Sequence, residues 1–143
     1  MQTRQGWGIA AIRFIVGVVF LVHGSQKLFG FGFSGVAGFF AQAGIPLPAV
    51  SAVVVTLVEF LGGIAVIVGL FTRWAALLLA INMLVAVLAV HLKGGFFLPR
   101  GYEYALTLLF ANAGLALTGS GSFAVDNLLG KRRSEPALKT RAA

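Results

Sequence analysis

The run VVVTLVEFLGGIAVIVGL, Val53 to Leu70, is apolar or small at every position except Thr56 and Glu59. A helix rises 1.5 Å per residue, so about 20 such residues cross the roughly 30 Å hydrocarbon core of a bilayer. The run and the apolar residues before it therefore predict a membrane-spanning helix. Glu59 lies near its centre, with no lysine or arginine within ten positions on either side. A carboxylate at this depth needs a partner on another helix, or a function.

The rest of the chain has the same character. Of its 143 residues, 59% are hydrophobic and 10% are charged, whereas soluble domains carry about 25% charged residues. The apolar residues form four runs: Ile9–Leu28, Ala49–Leu70, Trp74–Leu92 and Tyr102–Thr118. These runs do not alternate between apolar and polar positions, which excludes a transmembrane β-barrel. We therefore predict an all-α, polytopic membrane protein with a bundle of four transmembrane helices.

The connection between the first and second runs, Phe31–Pro48, is too apolar for an ordinary loop and too short and glycine-rich to span a bilayer. It predicts a short interfacial helix on the outer membrane surface. This helix is either a lid over a lateral opening or a plain connector. We expect a single membrane domain over residues 1–130 and a basic, disordered cytoplasmic tail over residues 131–143.

The formal net charge of +7 indicates a membrane orientation rather than nucleic-acid binding. If the N-terminus is cytoplasmic, eight of the eleven lysines and arginines lie on the cytoplasmic side and three on the outer side. This positive-inside bias predicts cytoplasmic N- and C-termini. The basic tail then either lies against the anionic inner leaflet or is solvated in the cytoplasm.

Polar side chains at membrane depth define a candidate site. An acidic residue at a helix centre costs about 2.5–3.5 kcal/mol on insertion scales, so Glu59 is expected to face the inside of the bundle. Its candidate partners are His23, Asn82, Asn112 and, less easily, Arg13. The predicted buried polar site comprises Glu59, His23, Asn82 and Asn112. Glu59 is either a hydrogen-bonded strut between helices or a carboxylate that handles protons or a ligand.

A second polar group is expected closer to the outer membrane boundary. It comprises Lys27, His91, Glu103 and Arg100. Lys27 is expected to anchor the end of its helix by reaching the interface. The expected ion-pair partners of Glu103 are Arg100, Lys93 and Lys27.

Cofactor ligands are few. The chain has no cysteine, so disulfide exchange and thiolate-bound zinc or iron–sulfur clusters are excluded for this chain alone. His23 and His91 as paired haem ligands are disfavoured by an axial mismatch of about one turn. No spacing motif indicates a metal site, and we expect none. His23 is also suited to hydrogen-bond a quinone carbonyl or Glu59.

Glycines are placed to let helices approach closely. In lipid, small residues at helix interfaces allow backbones to come together. The glycines expected to do so are Gly17 and Gly24 on the first helix and Gly62, Gly63 and Gly69 on the second.

Three segments carry a resemblance to a known family. They are RFIVGVVFLVHGSQKLFG from Arg13, VEFLGGIAVIVGLFTRWAALLLAINMLVA from Val58, and GGFFLPRGYEYALTLLFANAGLALTGSGSFAVD from Gly94. Together they resemble the DoxX family of small bacterial inner-membrane proteins with four helices. The resemblance implies an inner-membrane location and an association with quinone or redox complexes. The family-pattern positions are His23, Lys27, Glu59, Arg73, Glu103 and Asp126, and no catalytic role transfers to them.

The sequence is compatible with two functions. The first is a quinone-interacting membrane subunit, in which the ligand enters laterally near the phenylalanine-rich outer segment and a redox partner protein supplies or accepts electrons. The second is a non-enzymatic membrane scaffold or lipid-associated protein that recruits partners. Whether the chain is an enzyme stays open at this stage, as does assembly into a homo-oligomer.

Overall fold

The computed structural model describes residues 4–130, and within them it is all-helical, without a β-strand. Five α-helices are α1 Arg4–Ser25, α2 Gly32–Gln42, α3 Pro48–Val68, α4 Thr72–Val85 and α5 Glu103–Thr118, and residues 125–130 are also helical. A π-helical turn, Gln26–Phe31, joins α1 directly to α2, and a second one, Ala86–His91, extends α4. The predicted basic tail, residues 131–143, lies outside the described residues.

Three helical stretches of this part of the chain are long and apolar enough to cross a membrane. They are Arg4–Gln42, Pro48–Val68 and Thr72–Gly94. The prediction of an all-α membrane protein is therefore confirmed. The predicted fourth span corresponds to α5, which has 16 residues and is shorter than the other three. The predicted interfacial helix corresponds to α2, which follows α1 without a break. The membrane positions of α2 and α5 stay predictions.

The outer surface of the helices is apolar. Large side chains such as Trp74, Phe110 and Leu117 point away from the protein, and Leu117 is 80% exposed. Soluble monomers rarely present such continuous apolar surface. This surface is suited to contact with lipid. Contact with lipid also explains why only 10% of the residues are charged.

Four of the helices pack in a ring. α1 packs along α3, α3 against α4, α4 along α5, and α5 returns to α1, while α2 packs on α3. The core between them holds Phe20, Val66, Leu79 and Leu115. We call the end with the N-terminus of α1, the α3–α4 hairpin and the last turn of α5 the inner end, and the opposite end the outer end.

Glycines bring α1 and α3 into backbone contact, as the sequence predicts. A Cβ atom added to Gly24 would lie 2.5 Å from the backbone nitrogen of Phe60, and one added to Gly63 would lie 2.5 Å from that of Leu21. Real Cβ atoms do not approach so closely, so only glycine fits at these positions. This glycine contact sets how α1 and α3 align, and therefore which side chains meet across them.

The inner end is held by a buried arginine and a capping aspartate. The Nη2 atom of Arg13 donates hydrogen bonds to the carbonyl oxygens of Phe123, at 2.9 Å, and of Ser122, at 3.4 Å. The carboxylate of Asp126 accepts hydrogen bonds from the backbone N–H groups of Phe71 and Thr72, at 2.7 and 3.1 Å. These bonds satisfy donors at the start of α4 and tie the segment after α5 to α1 and to the hairpin.

Candidate functional site

Glu59 meets one side chain from each of two other elements. Its Oε2 atom lies 2.5 Å from the Nζ atom of Lys27, in the π-helical turn after α1. Its Oε1 atom accepts a hydrogen bond of 2.9 Å from the amide nitrogen of Asn82 on α4. Glu59 is 4% exposed. We call Lys27, Glu59 and Asn82 the polar cluster.

Each partner lowers the cost of burying the carboxylate. A lone ionised carboxylate inside a membrane protein is strongly disfavoured, whereas a paired and hydrogen-bonded one is tolerated. The ammonium group of Lys27 compensates the charge of Glu59, and the amide of Asn82 bonds its second oxygen. The cluster therefore carries no net charge while Glu59 is ionised, and removing either charged partner leaves the other uncompensated.

The position of Lys27 differs from the prediction. The sequence predicts an anchor at the outer rim, but the side chain of Lys27 is 22% exposed and bonds Glu59. Side chains of a helix lean towards its N-terminus, so Lys27 leans from the outer end towards the middle of the bundle. The glycine contact between α1 and α3 places Glu59 within its reach.

The prediction that Glu103 forms an ion pair with Arg100, Lys93 or Lys27 is wrong. Its Oε1 atom instead accepts a hydrogen bond of 2.8 Å from the backbone nitrogen of Leu98, across the turn that precedes α5. Lys27–Glu59 is the only ion pair within residues 4–130. The physical reason is the compact turn before α5, which offers Glu103 an N–H donor five residues away.

A cavity of about 640 Å³ opens beside the polar cluster. Lys27, Glu59 and Asn82 are among the residues that line it, and most of its other walls are aliphatic or aromatic. Binding sites for small molecules typically enclose about 300–1,000 Å³, with apolar walls and a few converging polar groups. The cavity therefore has the size and the chemistry of a site for an amphipathic molecule.

Three rings add polar atoms to the cavity wall. They belong to His23, His91 and Tyr104. The rings of His23 and Tyr104 lie 6.4 Å apart between centroids. The Nδ1 atom of His91 lies 3.4 Å from the carbonyl oxygen of Arg100. His23 was a predicted partner of Glu59, and the described residues show no hydrogen bond between them, although both face the same cavity.

Two other candidate partners of Glu59 lie elsewhere. Asn112 is fully buried on α5, where its amide nitrogen donates to the carbonyl oxygen of Leu108 at 2.8 Å, and it does not line the cavity. Arg13 bonds the carbonyl oxygens at the inner end. Of the four candidate partners, Asn82 alone bonds Glu59, and Lys27 was not among them.

Tyr104 was absent from the predicted site. A tyrosine near the end of an apolar run is typical of the aromatic belt at the membrane interface, which hides any other role in the sequence. Its position four residues before Leu108, another residue of the cavity wall, is the one signal that it shares the inner face of α5.

No group of three or more histidine, cysteine, aspartate or glutamate side chains that could hold a metal ion is found in residues 4–130. The expectation that the protein binds no metal stays a prediction.

The model of the DoxX family matches residues 8–92, and this range contains all three residues of the polar cluster. The chain belongs to the DoxX family. The resemblance seen in the sequence is thereby confirmed. No solved structure gives a significant match.

Among the relatives of this DoxX protein, one carries a redox name and others are named as membrane proteins. The chain is 37% identical over 119 residues to "Putative oxidoreductase CatD" of Bacillus subtilis, covering 83% of this chain and 84% of that protein. It is 33% identical to "Uncharacterized membrane protein Rv3486" of Mycobacterium tuberculosis, with 87% and 82% covered. It is 26% identical to "Inner membrane protein YqjF" of Escherichia coli, with 92% and 99% covered.

Proposed function

We propose that this DoxX protein is a quinone-interacting membrane subunit, and that the polar cluster holds the ring of the quinone. The observation that carries the proposal is the buried Lys27–Glu59–Asn82 cluster in the wall of an otherwise apolar cavity of about 640 Å³. A quinone has the matching chemistry, since its ring is flat and apolar and its polar oxygens project from the ring edge.

The cluster offers what both redox forms of such a ring need. Lys27 has three N–H donors, one of which is directed at Glu59, so it can also donate to a quinone carbonyl. Glu59 can accept the hydrogen bond, and then the proton, of a quinol hydroxyl. His23 and Tyr104 provide further groups that donate or accept.

The proposal assigns ring binding and proton handling to this chain, and electron transfer to a redox partner protein. The name of the relative CatD as an oxidoreductase supports a redox setting for the family. In this view the chain is a subunit whose own residues position the quinone and exchange its protons.

The proposal includes a membrane topology. We propose that α5 is a fourth span, because its 16 residues extend about 24 Å and it packs against both α4 and α1. We propose that α2 lies at the outer interface and that both termini are cytoplasmic. The inner end carries Arg4 and Arg73 and is followed by the basic tail, in agreement with the positive-inside rule. The Escherichia coli relative supports an inner-membrane location.

A second function is a scaffold, and one observation favours it. Both carboxylate oxygens of Glu59 already have partners within the chain, as a strut between three elements requires. In this alternative the cavity holds bulk membrane lipid, and the cluster serves to align the helices for a partner protein.

The two functions are separated by what co-purifies with the protein. Wild type is purified in mild detergent, and its bound molecules are extracted and quantified by mass spectrometry. We expect about one quinone per chain in wild type and a loss of it in Lys27→Met and in Glu59→Gln. Bulk phospholipid alone in the wild type would contradict the quinone proposal and support the scaffold.

The matched control is Glu103→Gln. Like Glu59→Gln, it removes one carboxylate charge, but Glu103 lies outside the cavity, and the glutamine oxygen can still accept from Leu98. We expect Glu103→Gln to retain the quinone. Equal loss in this control and in the cluster variant would show a general effect of lost charge or stability.

A further inference from the structure

The cavity reaches the lipid-facing surface between α3 and α4. Val50, Val54 and Val58 follow one another at intervals of four along α3, and all three line the cavity. Across from them, Ile81 and Val85 on α4 also line it. All of these except Val58 are also exposed on the surface of the protein. Residues that are both cavity wall and lipid surface mark a mouth, and this mouth is aliphatic.

The α3–α4 interface closes towards the inner end. Towards the inner end, Gly62 of α3 packs against Leu79 of α4, whose side chain would lie 3.2 Å from an added Cβ. Leu79 is completely buried, so the two helices close there. Beyond this contact, towards the outer end, a cleft remains between the two helices. Val54 of α3 and Ile81 of α4 line it.

The opposite side of the cavity has a different chemistry. Between α1 and α5 its wall carries the polar rings of His23 and Tyr104. The phenylalanine-rich segment contributes Phe39 and Phe40 to the wall from α2. The residues of α3 and α4 that both line the cavity and are exposed are all aliphatic, namely Val50, Val54, Leu78, Ile81 and Val85, and they lie where lipid chains surround the protein.

We propose, resting on the function proposed above, that the ligand carries a long apolar tail that leaves the cavity through the cleft between α3 and α4, and that Val54 and Ile81 determine which tails pass. The ring stays at the polar cluster while the tail extends into the bilayer. The ligand class is therefore a quinone with a long hydrocarbon chain, taken from the membrane.

The cleft acts through shape. Membrane lipid is as apolar as the cleft, so a tail gains little by moving between them. A wide cleft lets the tail continue outward once the ring is bound, whereas a narrow one forces the tail to bend inside the cavity. Narrowing the cleft should therefore weaken binding of a tailed quinone and leave a quinone without a tail unaffected.

The test uses two probes on the full chain in nanodiscs: a benzoquinone with a decyl chain, and the same ring without a chain, both radiolabelled. Saturation binding is measured for wild type, Val54→Trp and Ile81→Trp. We expect the decyl compound to bind about tenfold more weakly to both variants, equivalent to about 1.4 kcal/mol. We expect the ring without a chain to bind all three proteins equally, which also shows that the variants are folded.

Matched controls are Val53→Trp and Leu84→Trp. These residues are exposed on the same two helices and do not line the cavity, so both variants should bind both probes like wild type. Unchanged binding of the decyl compound to Val54→Trp and Ile81→Trp would overturn the tail path, as would equal weakening of both probes. Failure of wild type to bind either probe would instead overturn the proposed function, and the tail path with it.

Discussion

Two polar clusters lie at different depths in the helical bundle, and their surroundings differ. At the inner end, Arg13 is 3% exposed and binds backbone carbonyls in a tightly packed region. We call Arg13 and the capping Asp126 the inner cluster. Nearer the outer end, Glu59 is as deeply buried, but its partners are side chains and it faces a cavity. Burial of charge is therefore not itself a sign of function in this protein. The neighbouring space distinguishes the two clusters.

The comparison predicts that the inner cluster contributes to stability alone, whereas the polar cluster contributes to stability and to ligand binding. Arg13 donates to backbone carbonyl groups, and these carbonyls do not line the cavity. Lys27 and Glu59 bond each other and also line the cavity. Substitutions at the two ends should separate these effects.

The largest effect is expected from Lys27→Met. The variant leaves the carboxylate of Glu59 buried without its counter-charge, which costs about 3 kcal/mol of unfolding free energy. This is the low end for a broken buried pair, because Lys27 is 22% exposed. Denaturant unfolding in mixed micelles measures the loss. The double variant Lys27→Met/Glu59→Gln removes both charges and should recover most of it. A double variant as unstable as the single one would show that the charge pair is not the cause.

A smaller loss is expected from Gly24→Ala, by about 2 kcal/mol. The new methyl group would meet the backbone of Phe60, so α1 and α3 must separate, which also moves Lys27 from Glu59. The same unfolding measurement applies. Gly114→Ala is the control, because an added Cβ meets no atom within 4 Å there. It should be neutral or stabilise the helix by up to about 1 kcal/mol. Equal destabilisation by the two alanines would contradict the glycine contact.

Asp126→Ala should cost about 1 kcal/mol of stability, because the N–H groups of Phe71 and Thr72 lose their capping carboxylate. Thermal unfolding in detergent measures the change. Ligand content per folded protein should stay at the wild-type level, since the aspartate lies at the end of the molecule away from the cavity. A loss of ligand would mean that the two clusters are coupled.

The smallest effect on stability is expected from Tyr104→Phe. The hydroxyl group has no hydrogen-bond partner within the described part of the chain, so the free energy of unfolding should change by less than about 0.5 kcal/mol. Affinity for a quinone should fall about threefold if the hydroxyl donates to the ring. Tyr102→Phe is the control, because Tyr102 packs on Phe96 and does not line the cavity. If the two variants bind the quinone with equal affinity, the hydroxyl group of Tyr104 does not contact the ligand.

Much of the fold could be predicted from the length of the apolar runs. The apolar helices α1, α3 and α4 and the burial of Glu59 follow from hydropathy and from the cost of a carboxylate in lipid. Asn82 was one of four candidate partners of Glu59, and the sequence did not distinguish it from the other three. The close contact of α1 and α3 follows from Gly24 and Gly63. These features depend on composition and spacing along one helix at a time.

The remaining features depend on how helices are rotated about their axes. Asn112 was expected near Glu59 because both lie at similar depth, but depth does not determine the direction in which α5 turns its side chain. Lys27 was assigned to the rim because its sequence position lies at the end of an apolar run. The π-helical turn at Gln26–Phe31 alters the direction of the side chains after Ser25, and the sequence has no clear signal for it.

The central claim is that the polar cluster binds a ligand while the inner cluster does not. The most direct measurement compares two variants, Lys27→Met/Glu59→Gln and Arg13→Met, for quinone retained per folded chain by mass spectrometry and for unfolding free energy. We predict near-wild-type stability without quinone in the first, and lower stability with a full complement of quinone in the second. Quinone retained in the double variant, or lost equally from both, would contradict the account.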